Sequence, residues 1–234
     1  MVFKSSLTVL LVASLAVFSS YTPQAEAHSW IDCVDWRKTG KNQWTANKRD
    51  EIKYCQGYAR RYPFNAKFAS LDDADPNRHY QQNHNQIKKA TALACSDGRA
   101  GEEPGADETR SKDVTKAYGG KWGKMTTTSP GKKLCIRWPA KNHAGDSDGG
   151  KVAINWMKDD KGAANYQQHV LDDNPLTELD YSNCDKTGNE DTRACGGCIT
   201  VPAKSTPGVY LLQWRWRLNK NEWYTSCADV KVGK

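Results

Sequence analysis

A disulfide-stabilised all-β sandwich with long loops and short helices is the fold class that three features of this sequence predict. Residues 132–138, 151–157, 208–218 and 223–232 are rich in β-branched and aromatic side chains and are bounded by Pro, Gly and Asn or Asp turns. In the third of these, Tyr210, Leu212, Trp214, Trp216 and Leu218 alternate with Gln213, Arg215 and Arg217, the period of two expected of a strand with one buried face. Finally, the chain carries eight cysteines. In an exported chain such an even count implies up to four disulfides, with the pairing left open.

Export is read from the first segment. Lys4 supplies a positive start, residues 7–18 form an apolar run too short to span a bilayer, and Ala25-Glu26-Ala27 places small residues where a signal peptidase cuts. Residues 1–27 are therefore expected to be a signal peptide, and residues 28–234 one domain of sandwich size. Cleavage there would make His28 the first residue. A terminal histidine chelates a metal through its α-amine and ring Nδ1, and a second imidazole completes three nitrogens in a flat T that suits Cu(II). A cut one or two residues away would remove that chelate.

The rest of the first half is less regular. Residues 48–60 and 78–94 are expected to form short helices, with loops over 63–77 and 96–113 and another short helix over 163–171. Long loops on a rigid sandwich commonly carry the binding surface, so these are the expected substrate contacts. No second apolar run suggests a membrane anchor. All eight cysteines follow the expected cut. Cys195-Gly-Gly-Cys198 has the spacing of a zinc knuckle or redox pair, but no second CxxC or histidine pair completes it, so disulfide cysteines are expected. No Asn-x-Ser/Thr acceptor occurs. The net charge of +7 would favour an acidic partner, although no run of five or more basic residues marks a nucleic-acid arm.

Of the five histidines, His79, His84 and His169 are expected on solvated surface. His143 differs: it follows the strand ending Trp138-Pro-Ala-Lys-Asn-His143 and precedes the Gly-rich turn Gly145-Asp-Ser-Asp-Gly-Gly150, a strand-end loop where side chains from separate strands converge. Trp44, Tyr58, Tyr62 and Tyr80 are candidates for an exposed stacking platform, against the general tendency of aromatics to be core.

Four segments together span nearly all of residues 28–234: the His28-Ser-Trp start, the Trp138-Pro-Ala-Lys-Asn-His143 strand end, the Pro207-Gly-Val-Tyr-Leu-Leu-Gln-Trp214 strand and the closing Glu222-Trp-Tyr-Thr-Ser-Cys-Ala-Asp-Val230. The set resembles the lytic polysaccharide monooxygenases, secreted copper enzymes on an Ig-like or fibronectin-III-like sandwich. The His-Ser-Trp-Ile-Asp-Cys opening and the compact length are most similar to auxiliary activity family seventeen, the oomycete enzymes that cleave pectin. The resemblance implies that His28 gives the amine and one ring nitrogen to a single copper ion, that His143 gives the second ring nitrogen, and that Tyr224 is the axial aromatic beside the metal. Glu222, two residues before Tyr224, is implied to be the ionisable group that positions an oxygen species, a place held by Gln or Glu across these enzymes. Where cellulose-active members often carry a second-sphere histidine this chain has Gln213, Trp214 and Arg215, and Arg215 is the candidate substitute.

The implied activity is oxidative cleavage of glycosidic bonds by a monomer, with an external reductant and H2O2 or O2 as co-substrate. The expected substrate is homogalacturonan, since lysines and arginines would bind its carboxylates. Loading requires an unprotonated amine and imidazoles, so affinity should fall as pH drops through the histidine range. No nucleic-acid or membrane partner is expected. Three alternatives stand beside this reading: the same chemistry on cellulose or chitin, a carbohydrate-binding or secreted interaction module without a tight copper site, and a non-catalytic secreted copper-binding protein. The ending Val230-Lys-Val-Gly-Lys234, without a hydrophobic tail, speaks against a lipid-tethered form of the last.

Overall fold

The computed structural model describes residues 29–62, 82–85, 94–95, 117–120, 122–141, 143, 150–159, 175–188, 193–219 and 222–234. The expected signal peptide, His28, His79, His169, Tyr80, the loops 63–77 and 96–113 and the helix 163–171 lie outside these described residues. The elements in chain order are α1 (Lys48–Tyr54), β1 (Gln82–Asn85), β2 (Thr126–Thr128), β3 (Lys133–Pro139), β4 (Lys151–Lys158), β5 (Pro175–Asp180), β6 (Ala194–Thr200), β7 (Gly208–Asn219) and β8 (Glu222–Val232).

Two sheets face one another. The larger runs β1-β8-β7-β4-β5 with antiparallel neighbours, and β2 lies parallel to the end of β8. The smaller is the antiparallel pair β3–β6, extended by a bridge between Cys33 and Arg137. Between them, Leu134, Ile136 and Trp138 of β3 share one apolar cluster with Ile154 of β4, Leu212, Trp214 and Trp216 of β7, and Tyr224, Ala228 and Val230 of β8. Trp138, Trp214 and Trp216 are fully buried. Each such indole removes roughly 200 Å² from water, or about 5 kcal/mol of transfer free energy, which makes this aromatic layer the main cohesive term.

The four strands expected in the second half all form, with ends within one residue of the expectation. Three others carried weak signals. β2 is only three residues long, β5 opens on a proline and pairs only with β4 at a sheet edge, and β6 holds two consecutive glycines. Those glycines are required by contact: a Cβ on Gly196 would lie 2.4 Å from the Trp44 ring, and one on Gly197 would lie 2.8 Å from Leu179. Cys195-Gly-Gly-Cys198 is thus a strand whose two faces admit bulky neighbours. Its cysteines are disulfide-bonded, but not to one another: Cys135 pairs with Cys198 and Cys184 with Cys195, alongside Cys33–Cys55 and Cys95–Cys227.

The helix expected over 48–60 stops early. Asn47 caps it by accepting from the Asp50 N–H at 2.9 Å, and Asp50 and Glu51 complement its first turn. It ends at Cys55, which is bonded to Cys33 and bridged to Trp36 in extended backbone. The helix expected over 78–94 is corrected at its centre, where Gln82–Asn85 is a strand paired with Glu222–Thr225 of β8. A polar segment without a strong apolar period takes its backbone partners from the open edge of β8. His84 therefore occupies a strand position opposite Trp223.

The outer faces of both sheets are covered as well. On the larger sheet Gln213, Arg215 and Asp229 are buried, which corrects the expectation that β7 has a single buried face. Asn155 donates to Gln213 at 2.7 Å, Gln213 donates to the Ala94 carbonyl at 2.5 Å, and Arg60 grips Asp229 at 2.5 and 2.7 Å. On the smaller sheet Arg137 donates to Asp32 and lies 3.9 Å over the Trp36 ring. Burial pushes the Asp32 carboxyl above its ordinary range, opposed by the Arg137 guanidinium.

Candidate metal centre

The end of β3 and the start of the described chain meet at one end of the sandwich. Ser29 is buried and its Oγ donates to the Pro139 carbonyl at 2.7 Å, while the Ile31 N–H donates to Ser226 Oγ on β8 at 3.2 Å. The segment immediately after position 28 is therefore fastened to both sheets. Past Pro139 the chain turns sharply: Lys141 has φ +44°, and the His143 N–H donates to the Ala140 carbonyl at 3.1 Å. Tyr181 ties the same turn by donating its hydroxyl to the Ala140 carbonyl at 2.7 Å. Lys141 itself is buried with its ammonium 5.8 Å from the Trp30 ring centroid.

His143 is half-buried, and its ring stands edge-on to Trp216 at 5.3 Å between centroids. Trp216 is also stacked on Tyr181 at 3.8 Å and lies 5.6 Å from Tyr224, its cross-strand partner on β8. One indole thus joins the strand-end histidine to the buried tyrosine two strands away. Glu222 opens β8 two residues before Tyr224, opposite Asn219. Of the four residues expected at the metal, His143 and Tyr224 are brought to this end through Trp216, Glu222 is placed at the start of the same strand, and His28 lies outside the described residues.

Arg215 is not part of this arrangement. It is paired with Thr225 on β8, which puts it on the face opposite Trp216 and Tyr224, and its guanidinium lies 4.1 Å over the Trp223 ring. Its expected role as a substitute for the second-sphere histidine is overturned by strand alternation. The position facing Tyr224 belongs to Trp216. Trp44, Tyr58 and Tyr62 are buried, so they form no exposed stacking platform. Sequence reasoning missed Trp216, Tyr181 and Ser29 as supports. The alternation in β7 placed Trp216 on the core face but could not say that His143 packs against it, and nothing local marks Tyr181.

The donor chemistry here is compatible with copper. Every cysteine is in a disulfide, so no thiolate is offered, and among the described residues no cluster of three His, Cys, Asp or Glu side chains forms a carboxylate or zinc cage. What this end presents is an imidazole held by aromatic packing beside the fastened segment that follows His28.

No protein-family model matches the sequence, and no curated protein matches it. Solved structures with partial likeness include a cellulose-active polysaccharide monooxygenase from M. thermophila, with 16% identity over 48% of this chain and 55% of that one and a TM-score of 0.30. A glycoside hydrolase family 61 member from Hypocrea jecorina is 11% identical over 49% of this chain and 54% of its own, with a TM-score of 0.34. An LPMO from Kitasatospora papulosa is 15% identical over 49% and 53%, with a TM-score of 0.29. The chain thus spans little more than half the length of these structures.

Proposed function

We propose that this protein is a secreted, copper-dependent polysaccharide monooxygenase that cleaves a plant cell-wall polymer, homogalacturonan first. The observation that carries the reading is the meeting of His143, Trp216 and Tyr224 with the anchored segment that follows position 28. In this reading the His28 amine and ring and the His143 ring hold one copper ion, which supplies one-electron redox chemistry when a reductant and H2O2 or O2 are present. Tyr224 would stand beside the ion as a buried aromatic, and Glu222 would hold or deliver a proton to the co-substrate. Trp216 and Tyr181 keep the His143 turn from relaxing, while Ser29 and Ser226 keep the N-terminal segment in reach. The net charge of +7 supports a carboxylated polymer as substrate.

The test begins with mass spectrometry of the secreted protein, which should give His28 as its first residue. Cupric titration followed by electron paramagnetic resonance should give a type-two signal with nitrogen splittings that His143→Ala weakens or abolishes. Copper-loaded protein with ascorbate should then release oxidised oligomers from polygalacturonate. Products from cellulose or chitin alone would move the substrate, and tight copper binding without products from any polymer would leave a non-catalytic copper protein. Absence of a type-two signal would remove the enzyme reading altogether.

A further inference from the structure

The opposite end of β3 carries a second feature that the proposed copper chemistry does not use. Lys133 and Pro139 bound this seven-residue strand, so its first residue is about 20 Å from the turn that holds His143. Beside it opens a cavity of about 510 Å³, well inside the roughly 300–1,000 Å³ typical of ligand sites. Its lining carries four cations, Arg37, Lys38, Lys132 and Lys133, against one carboxylate, Asp35. Asp35 is already engaged, accepting from Arg37 at 2.7 Å and from Thr126 at 3.1 Å, and Lys38 donates to the Thr45 carbonyl.

Lys132 and Lys133 are exposed and have no hydrogen bond or ion pair to a described side chain. Their backbone is nevertheless fixed. The Lys132 N–H donates to Ser129 at 3.2 Å, its carbonyl accepts from Val201 at 2.9 Å, and Lys133 is in register with Thr200 of β6. The remaining lining combines the hydroxyls of Thr39, Thr127 and Ser129 with apolar surface from the half-buried Cys135–Cys198 disulfide, while the buried Trp36 and Trp44 floor the cleft without offering a ring face.

We infer that this cleft binds a carboxylated sugar chain, at a site separate from the metal centre. Uncommitted ammonium groups select for negative charge, hydroxyls match the hydrogen-bonding pattern of a sugar, and the disulfide and the aliphatic stems of the lysines give its C–H groups apolar contact. A bare inorganic anion would use the lysines alone, and a neutral sugar would leave them unpaired. The inference is independent of the copper reading, because neither lysine lies near His143.

The experiment is calorimetric titration of the metal-free full-length secreted protein with trigalacturonate, using cellotriose and inorganic sulfate as comparison ligands. Trigalacturonate is expected to bind, with affinity falling at least tenfold in the Lys132→Gln/Lys133→Gln variant and persisting in Lys132→Arg/Lys133→Arg. Equal affinity for cellotriose, sulfate binding as tight as trigalacturonate, or an unaltered affinity in the glutamine variant would overturn the proposal. Trigalacturonate binding that depends on these lysines, in a protein that does not oxidise polygalacturonate, would sink the substrate reading and leave the cleft standing.

Discussion

The two faces of β7 and β8 obey the same alternation and differ in how far they depend on polar partners. The inner face, with Leu212, Trp214, Trp216, Tyr224 and Val230, is apolar and meets the smaller sheet. The outer face sets the polar Gln213, Arg215 and Asp229 beside a small apolar cluster of Leu211 and Cys227 with Ala94 and Cys95, and is equally buried. What covers it comes from distant sequence: Arg60, Ala94 and Tyr118 supply the partners, Tyr118 by accepting from the Asp229 N–H at 2.7 Å. A buried apolar face is stabilised by removal from water whatever its neighbours are, whereas a buried polar face is tolerable only when each group finds a specific partner.

The strongest way to break this comparison is to unpair the outer face. Arg60→Met strands the Asp229 carboxylate and should cost about 3–5 kcal/mol in reversible chemical denaturation. The double variant Arg60→Met/Asp229→Leu should recover most of that loss. On the inner face Trp214→Ala should cost a similar 3–5 kcal/mol, but no second substitution at a single partner should rescue it, because its contacts are many and non-directional. Equal rescue on both faces would erase the distinction.

A similar effect is expected from the clip that holds the outer covering down. Cys95–Cys227 closes a separation of 132 residues, shortened by the 63-residue separation that Cys135–Cys198 spans inside it, so Cys95→Ser/Cys227→Ser should lower stability by about 4 kcal/mol if chain entropy dominates. Smaller is the effect of Gly196→Ala, whose methyl must displace the Trp44 ring; about 1–3 kcal/mol is expected, measurable as a lowered denaturation midpoint with an unchanged slope.

The smallest effect is alkaline. Burial, aided by the nearby Asp32 carboxylate, pushes the Tyr58 hydroxyl up to about 12 from an ordinary value near 10. The folded state then holds the proton more tightly than the unfolded one, so this contribution is intact below pH 10 and is lost as pH rises through 12. Ultraviolet titration of tyrosinate should show late-ionising groups, of which Tyr58→Phe removes one. The buried Tyr118, also raised by desolvation, remains as another.

Much of the sandwich was legible because its signals are local. Alternation marked β7 and its core face, β-branched and aromatic runs marked β3, β4 and β8, and the cysteine count anticipated four disulfides. β5 and β6 were not legible because their proline and glycines are explained only by an edge position and by Trp44 and Leu179 packing from elsewhere in the chain. The candidate centre divides in the same way. His143 was distinguished by its place at a strand end, while Arg215 was suggested by the resemblance alone, against the alternation of β7, which sets it on the face opposite Trp216.

By itself, then, the sequence determined four strand-forming segments, β3, β4, β7 and β8, which face of β7 is apolar, and the histidine that ends β3. Tertiary structure alone decided the disulfide pairing, the polar layer over the outer faces, the indole that joins His143 to Tyr224, and the basic cleft at the far end of the same strand. The physical reason is range: strand propensity and periodicity are written in neighbouring residues, whereas the partner of a buried charge, a thiol or an imidazole is chosen only when segments far apart in the chain meet, as Arg60 meets Asp229 and Cys95 meets Cys227.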